Sequence, residues 1–307
     1  MLNNILILIV SMHLSLPIGK EVALAYNLKV GDRFELRQKT EQKIIQTIMG
    51  MDQTGNNAYD GTIEMKVVSV DADHIRLEAK MTHLKSHIKN FMNEMLVDSD
   101  GDAGESANKI IRGMMNREFY VTISRTGTVE KVEGVENLWA GIDKVDATED
   151  EKKQLKSSMG QMINESSFRN GLGQAFIPYS TKPVQPGDQW ATQNGIPASF
   201  PVVTDIKWLL ESTTSSHAVV KGDGVFKTTD KDKVITLPGV DMKAKVDLGG
   251  DQKISATTTT RSGLPDKVGV DAKMSGVMLL LAGGLLPMDM EVPITIQTHT
   301  DFTFIRK

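Results

Sequence analysis

IEMKVVSVDADHIRLEAKMT, residues 63–82, is the stretch that decides the fold class. Ile63, Met65 and Val67 alternate with Glu64 and Lys66; Ile75, Leu77, Ala79 and Met81 then alternate with Arg76, Glu78 and Lys80. A side-chain period of two belongs to a strand with one apolar and one wet face, since a helix would space its apolar residues by three and four. Between the two runs stands only Asp71-Ala72-Asp73, a short polar turn, so the strands are read as neighbours in an antiparallel meander.

Working outward, Phe34 and Leu36 alternate with Glu35 and Arg37, and Ile44, Ile45 and Ile48 lie in a β-branched stretch with Thr47. Gly55-Asn56-Asn57 predicts a turn. Ile88, Met92 and Met95 fit either a helical stripe or one face of a long strand, and strand extension is preferred. Asp98 to Asp102 reads as a loop, Ala107 to Met115 as helical, and Phe119–Ser124 with Val129–Glu133 as a hairpin around Thr126-Gly127. From Val135 to Phe176 the period changes. Leu138, Trp139 and Ile142 fit one helix; Thr148-Glu149-Asp150-Glu151 is a capping box. After it Leu155, Met159, Met162 and Ile163 recur at helical spacing, and Gly171-Leu172-Gly173 is placed beyond the end of that helix. Past Pro178 the chain is strand-rich again, with Thr257 to Thr260 read as a solvated strand face.

Two patterns occur twice in the same order. Gly31-Asp32-Arg33-Phe34 is matched by Gly187-Asp188-Gln189-Trp190, and Arg125-Thr126-Gly127 with Lys131-Val132 by Arg261-Ser262-Gly263 with Lys267-Val268. The expected fold is β-dominated α+β: a large curved antiparallel sheet, with related halves at 26–134 and 177–307 and a helical segment at 135–176 packed on it.

The N-terminus reads as a signal peptide over residues 1–25. Ile5 to Val10 is apolar but too short to span a bilayer, and Ala23-Leu24-Ala25 is the small-x-small pattern that precedes cleavage, leaving Tyr26 first. Met1 to Asn4 lacks the usual basic residue, and an uncleaved anchor or a first buried strand are the other readings. Export would place the protein in the periplasm or outside the cell, touching the membrane only through that peptide.

Composition removes several chemistries. With no cysteine there is no disulfide, no thiolate nucleophile and no lipid-modified cysteine. A net charge of −4 lacks the basic excess of a nucleic-acid binder. The sequence holds no Gly-x-Ser-x-Gly elbow, phosphate loop or dinucleotide fingerprint, so no catalytic residue and no cofactor is assigned. Asp98, Asp100 and Asp102 resemble the start of a calcium loop, but Gly101 is fourth rather than sixth and Lys109 stands twelfth, where Glu is needed; an acidic surface turn is the plainer reading. His83 and His87 have the spacing of a ligand pair without a convincing third ligand, so no metal is expected. Carboxylates are abundant enough for a glycosidase-like pair, but aromatics are only 5%, against the platforms that sugar clefts commonly use. The 17 methionines are the unusual feature. Their pliable thioethers suit an apolar cavity as well as ordinary core packing, which makes Met159, Met162 and Ile163 the candidate ligand-binding residues.

Tyr26 to Phe34, the Asp98-Ser99-Asp100 turn, Phe119 to Gly134 around Gly127, and the late Pro293-Ile294 strand together resemble a family of uncharacterised exported proteins of Gram-negative bacteria. The resemblance implies a β-rich cell-envelope protein of unknown function, often lipid-anchored, and this chain departs from the last point because it has no cysteine. The function expected is a non-catalytic envelope protein that binds a hydrophobic small molecule or a partner protein. The alternatives are a structural or assembly protein of the envelope and, last, a hydrolase with a carboxylate site. Oligomeric state is not legible in the sequence.

Overall fold

The computed structural model describes residues 21–89, 94–102, 104–160, 163–195, 201–237, 242–283 and 286–307. In chain order the elements are β1 (Arg33–Ile48), β2 (Met51–Val70), β3 (His74–Lys89), β4 (Glu94–Asp98), α1 (Ser106–Met114), β5 (Glu118–Ser124), β6 (Val129–Glu133), α2 (Glu136–Asp143), α3 (Glu149–Met159), α4 (Glu165–Ala175), β7 (Gln189–Gly195), β8 (Val202–Thr213), β9 (His217–Thr228), β10 (Ile235–Thr236), β11 (Lys243–Thr259), β12 (Pro265–Leu280) and β13 (Met290–Arg306).

All the strands join one antiparallel sheet in the order β6-β5-β3-β2-β1-β13-β12-β11-β9-β8-β7, with β4 on β3 and β10 on β11. The β-dominated class expected from the alternation is the class observed. Two meanders, β1-β2-β3-β5-β6 and β7-β8-β9-β11-β12, follow the same path, and β13 lies between them, bonded to β1 on one side and β12 on the other. Each meander opens on the same turn. Gly31 and Gly187 have φ of 95° and 98°, a left-handed conformation that glycine adopts without penalty. Asp32 and Asp188 each accept through Oδ2 from the amide three residues back, of Lys29 and Gln185, both at 2.8 Å. The glycine amides then reach across to Val67 and Leu210 carbonyls.

Alternation places one set of side chains on the face that carries α3 and α4, here the inner face. Its first apolar patch joins Phe34 and Leu36, Met65 and Val67, Ile75 and Leu77, and Phe302 and Phe304, all buried. A second lies toward the opposite end of the C-terminal strands, around Phe226, Val246, Leu248, Met278 and Val292. Between the patches the same face turns polar, with Gln38, Thr40 and Gln42 alternating with exposed Lys39 and Glu41.

A bulge tunes this alternation. Thr62 pairs with His83 and Ile63 with Met81, so β3 carries one extra residue at Thr82. An extra residue reverses which parity faces inward. Ile75 to Met81 point in on odd numbers, and Leu84 and Ser86 on even ones, each about fully buried at 1% exposure. The bulge thereby turns His83 and His87 away from the core.

Several sequence expectations are corrected. Gly55-Asn56-Asn57 is not a turn: it lies inside β2 opposite Ile44, Lys43 and Gln42, and the chain reverses at Met49-Gly50 instead. The pair Met49 (φ 50°) and Gly50 (φ 77°) supplies the two positive φ angles that a tight hairpin demands. Thr258 is not solvated, being fully buried. The helix carrying Leu155 and Met159 ends at Gly160, and Gly171 and Gly173 belong to the next helix, α4. A further helix, α1, precedes the expected helical segment, as its sequence suggested. Among the described residues β3 extends to Lys89, the strand reading of that stretch; Met92 lies outside them.

Candidate functional site: a cavity between the helices and the sheet

The walls of the site are set by local rules. Thr148 caps α3, taking the Glu151 amide while the Glu151 carboxylate takes the Thr148 amide at 2.9 Å. Lys156 pairs with Asp143 at 2.6 Å and Lys152 donates to the Asp143 carbonyl at 3.2 Å, tying α3 to the end of α2. Beyond α3, Trp139 Nε1 donates to the Ile163 carbonyl at 3.1 Å, and Asn164 caps α4 by accepting from the Ser167 amide at 3.0 Å. Phe168 on α4 meets Phe119 of β5 edge to face at 5.0 Å, which seats α4 on the sheet.

Between α3–α4 and β1–β3 this arrangement leaves a cavity of about 400 Å³. Met159, Ile163, Phe168 and Leu172 form its helical wall, and Ile63, Met81, Leu84 and Ile88 its sheet wall. Its floor is polar but uncharged: Gln38, Thr40, Gln42, Asn57, Tyr59 and Ser86. Those groups form a ladder across strands. Gln38 Nε2 donates to Thr40 Oγ1 at 3.0 Å, Thr40 meets Thr300 at 3.0 Å, Asn57 Nδ2 donates to Gln42 Oε1 at 3.0 Å, and Gln42 Nε2 donates to Thr298 Oγ1 at 3.3 Å. Tyr59 folds back over Gly61, where a Cβ would lie 2.4 Å from its hydroxyl, so only glycine leaves the ring this position. Burial, with a smaller push from Asp60, raises the Tyr59 phenol to about 12.

Of the residues expected at a ligand site, Met159 and Ile163 do line this cavity, both buried. Met162 lies outside the described residues. The sequence reading missed Tyr59, Phe168 and the polar floor. The signal was present in β1, where the inward parity that begins with Phe34 and Leu36 runs on through Gln38, Thr40 and Gln42.

The outer face carries a wider groove of about 640 Å³ over the middle strands. Within it His299 pairs with Asp271 at 2.7 Å, while His87 and Lys253 pair with Glu94 at 2.7 Å and Asp223 at 2.6 Å beside it. His83 does not converge with His87. It bonds Asp100 at 2.8 Å, and Asp98 lies close enough that one ligand atom from each of the three falls within 4.8 Å. Asp98 is already engaged there, by Lys85 at 2.9 Å and by the Asp100 amide at 2.9 Å, and Arg112 donates to the Ser99 and Gly101 carbonyls. This is the hydrogen bonding of a self-contained acidic turn.

At the N-terminal end, Val22 pairs with Val184, Leu24 is buried, and Tyr26 is fully buried against Phe176 and Tyr179 at 5.6 and 5.2 Å. Ala23 is exposed and Ala25 half-buried. The Tyr26 amide donates to the Arg125 carbonyl and the Asn27 amide to that of Ser262, so this segment straps together the two Gly turns noted in the sequence.

A family model described as a family of unknown function (DUF6263) matches residues 72–265, well over half of the chain, and the chain belongs to that family. No curated protein matches it. Among solved structures, a lipovitellin structure described by its lipid–protein interactions aligns over 91% of this chain at 7% identity with a TM-score of 0.49; this chain spans 25% of that one. An outer membrane channel from Pseudomonas putida F1 aligns over 90% of this chain and 97% of its own, at 7% identity and a TM-score of 0.27. Among the described residues no helix is long and apolar enough to cross a membrane.

Proposed function

We propose that the protein is a non-catalytic, exported cell-envelope protein of Gram-negative type that holds a hydrophobic small molecule between α3–α4 and the inner sheet face. One observation carries the reading: an apolar-walled cavity of about 400 Å³ whose described lining contains no carboxylate, histidine, lysine or arginine. That volume lies in the range of small-molecule sites, and a lining without those groups supports binding over hydrolysis. Export rests on the N-terminal apolar run and the Ala23-Leu24-Ala25 pattern.

The test is native mass spectrometry of protein purified from its host's envelope, followed by organic extraction. A hydrophobic molecule released at one per chain is expected. Met159→Trp, which fills the helical wall, is expected to abolish its retention while the circular dichroism stays that of the parent; Leu172→Phe acts from α4 as a second variant. Retention unchanged in both folded variants would rule out this cavity as the site.

A structural or assembly role is the second reading. It is favoured by Met49, Met51 and Met288, exposed by 85%, 64% and 69% at the tips of hairpins whose inner strands, β1 and β13, are neighbours. A partner that buries those methionines would slow their oxidation by peroxide in envelope extracts relative to the purified protein.

A further inference from the structure

We infer that the occupant of the cavity is an uncharged single-chain amphiphile, its tail under α3–α4 and its hydroxyl-bearing or primary or secondary amide head on the floor formed by Gln38, Asn57 and Tyr59. This rests on the reading that the cavity holds a hydrophobic molecule, and it names the class.

The argument is one of hydrogen-bond and charge supply. The floor ladder uses only part of its own capacity. Gln38 and Asn57 each donate once, and among the described residues their carbonyl oxygens accept from no partner. Each amide nitrogen also has a second hydrogen to give. Within the same described set, the hydroxyl of half-buried Tyr59 makes no hydrogen bond, and a phenol is a protonated donor at neutral pH. The floor therefore offers donors and acceptors side by side, which suits a head that both gives and takes hydrogen bonds. A carboxylate or phosphate takes only.

Charge discriminates further. A buried anion needs a cation or a dense set of donors, and without one it is expelled or neutralised. The nearby cations on β1, Lys39 and Lys43, have the opposite parity and lie exposed on the outer face. The apolar walls lie above the floor, so a tail and a head are accommodated by different surfaces of the same cavity.

The experiment uses the full chain freed of co-purifying ligand on a hydrophobic resin and titrated with 1-monooleoylglycerol, or with oleate at pH 8, below their aggregation thresholds. Monooleoylglycerol is expected to bind one per chain, about tenfold or more tighter than oleate, the acyl chains being equal. Tyr59→Phe is expected to weaken monooleoylglycerol several-fold and leave oleate unchanged, a pattern that simple loss of packing would not give. Gln38→Lys is expected to reverse the preference by supplying the missing cation. Oleate binding as tightly as monooleoylglycerol to the parent protein would overturn the uncharged-head inference and leave the cavity reading standing. Binding of neither probe, with Met159→Trp indistinguishable from the parent, would overturn both.

Discussion

At the scale of single residues, buried hydroxyls and paired imidazoles make predictions with a definite sign. Tyr26, Tyr59 and Tyr179 all have phenols raised by burial, Tyr59 to about 12. A folded-state value above the unfolded one, near 10, stabilises the protein fully below that pH and ceases to do so as pH rises through the folded value. Unfolding followed by circular dichroism should therefore show stability falling above about pH 10, and Tyr59→Phe should flatten part of that fall. His299 is the acid-side counterpart. Asp271 raises its pKa most, burial opposes it, and Asp301 adds a further push upward. Its contribution is present below the ordinary histidine value and lost as pH climbs through the raised one. In an NMR titration, Asp271→Asn should bring His299 back toward about 6.5. Thr258 shows why such details escape a sequence. Its stretch of threonines is a fair signature of a wet strand, yet Tyr179, 79 positions away, arrives to hydrogen-bond its hydroxyl at 2.7 Å. No local pattern announces a partner at that separation.

At the scale of elements, legibility followed how local the cause was. The Thr148 capping box is a four-residue device, and it appears as read; Thr148→Ala should cost about 1 kcal/mol in chemical denaturation. Helical spacing brought Met159 and Ile163 to the same cavity, although they stand on either side of a break at Gly160 that hydrophobic periodicity does not register. The β1–β2 turn was misplaced because Gly55-Asn56-Asn57 has turn composition, while the true reversal puts a methionine in a left-handed conformation. That residue type is unfavourable there, and Asn-Gly is the favoured pair. Met49→Asn is expected to stabilise the protein by about 0.5–1 kcal/mol, read as a raised Tm. The strap before β1 gives a sharper case. Leu24 is buried and Val22 is paired, yet both precede the expected cleavage point at Ala25. A chain beginning at Tyr26 should be less stable than one beginning at Glu21 by about 1.5–3 kcal/mol, the worth of one buried leucine. Comparing the two by urea denaturation checks it, and the intact mass of protein from the host reads the mature terminus directly.

At the scale of the molecule, the question is whether a sheet this wide behaves as one body. Its two meanders begin with the same Gly-Asp turn and run the same course through the sheet. Short motifs mark where each meander starts; they do not say how the halves meet, because that depends on β13, a strand with no counterpart in the first meander. From Phe34 to Gln46, β1 pairs with β13, while β12 pairs with it from Lys267 to Leu280. Opening either seam would expose a long unpaired edge together with Phe302, which is buried at 1%. Tyr179 adds a second tie. The Tyr179 amide donates to Thr126 in one meander's turn, and its hydroxyl donates to the Gly263 carbonyl at 2.7 Å in the other's. Chains of this length often unfold in stages, but here neither half has a boundary it could present to water cheaply. A single cooperative transition is expected. Trp139 reports on the helices, and Trp190 and Trp208, stacked at 6.4 Å, report on the far end of the sheet. Single-tryptophan variants at these places should give coincident urea midpoints. Tyr179→Phe, which leaves the Gly263 carbonyl without this donor, should lower both midpoints together, by the amount that a loss of about 1–3 kcal/mol of stability gives. Midpoints that separate, with the C-terminal probe moving alone, would show that β13 docks the halves without fusing them.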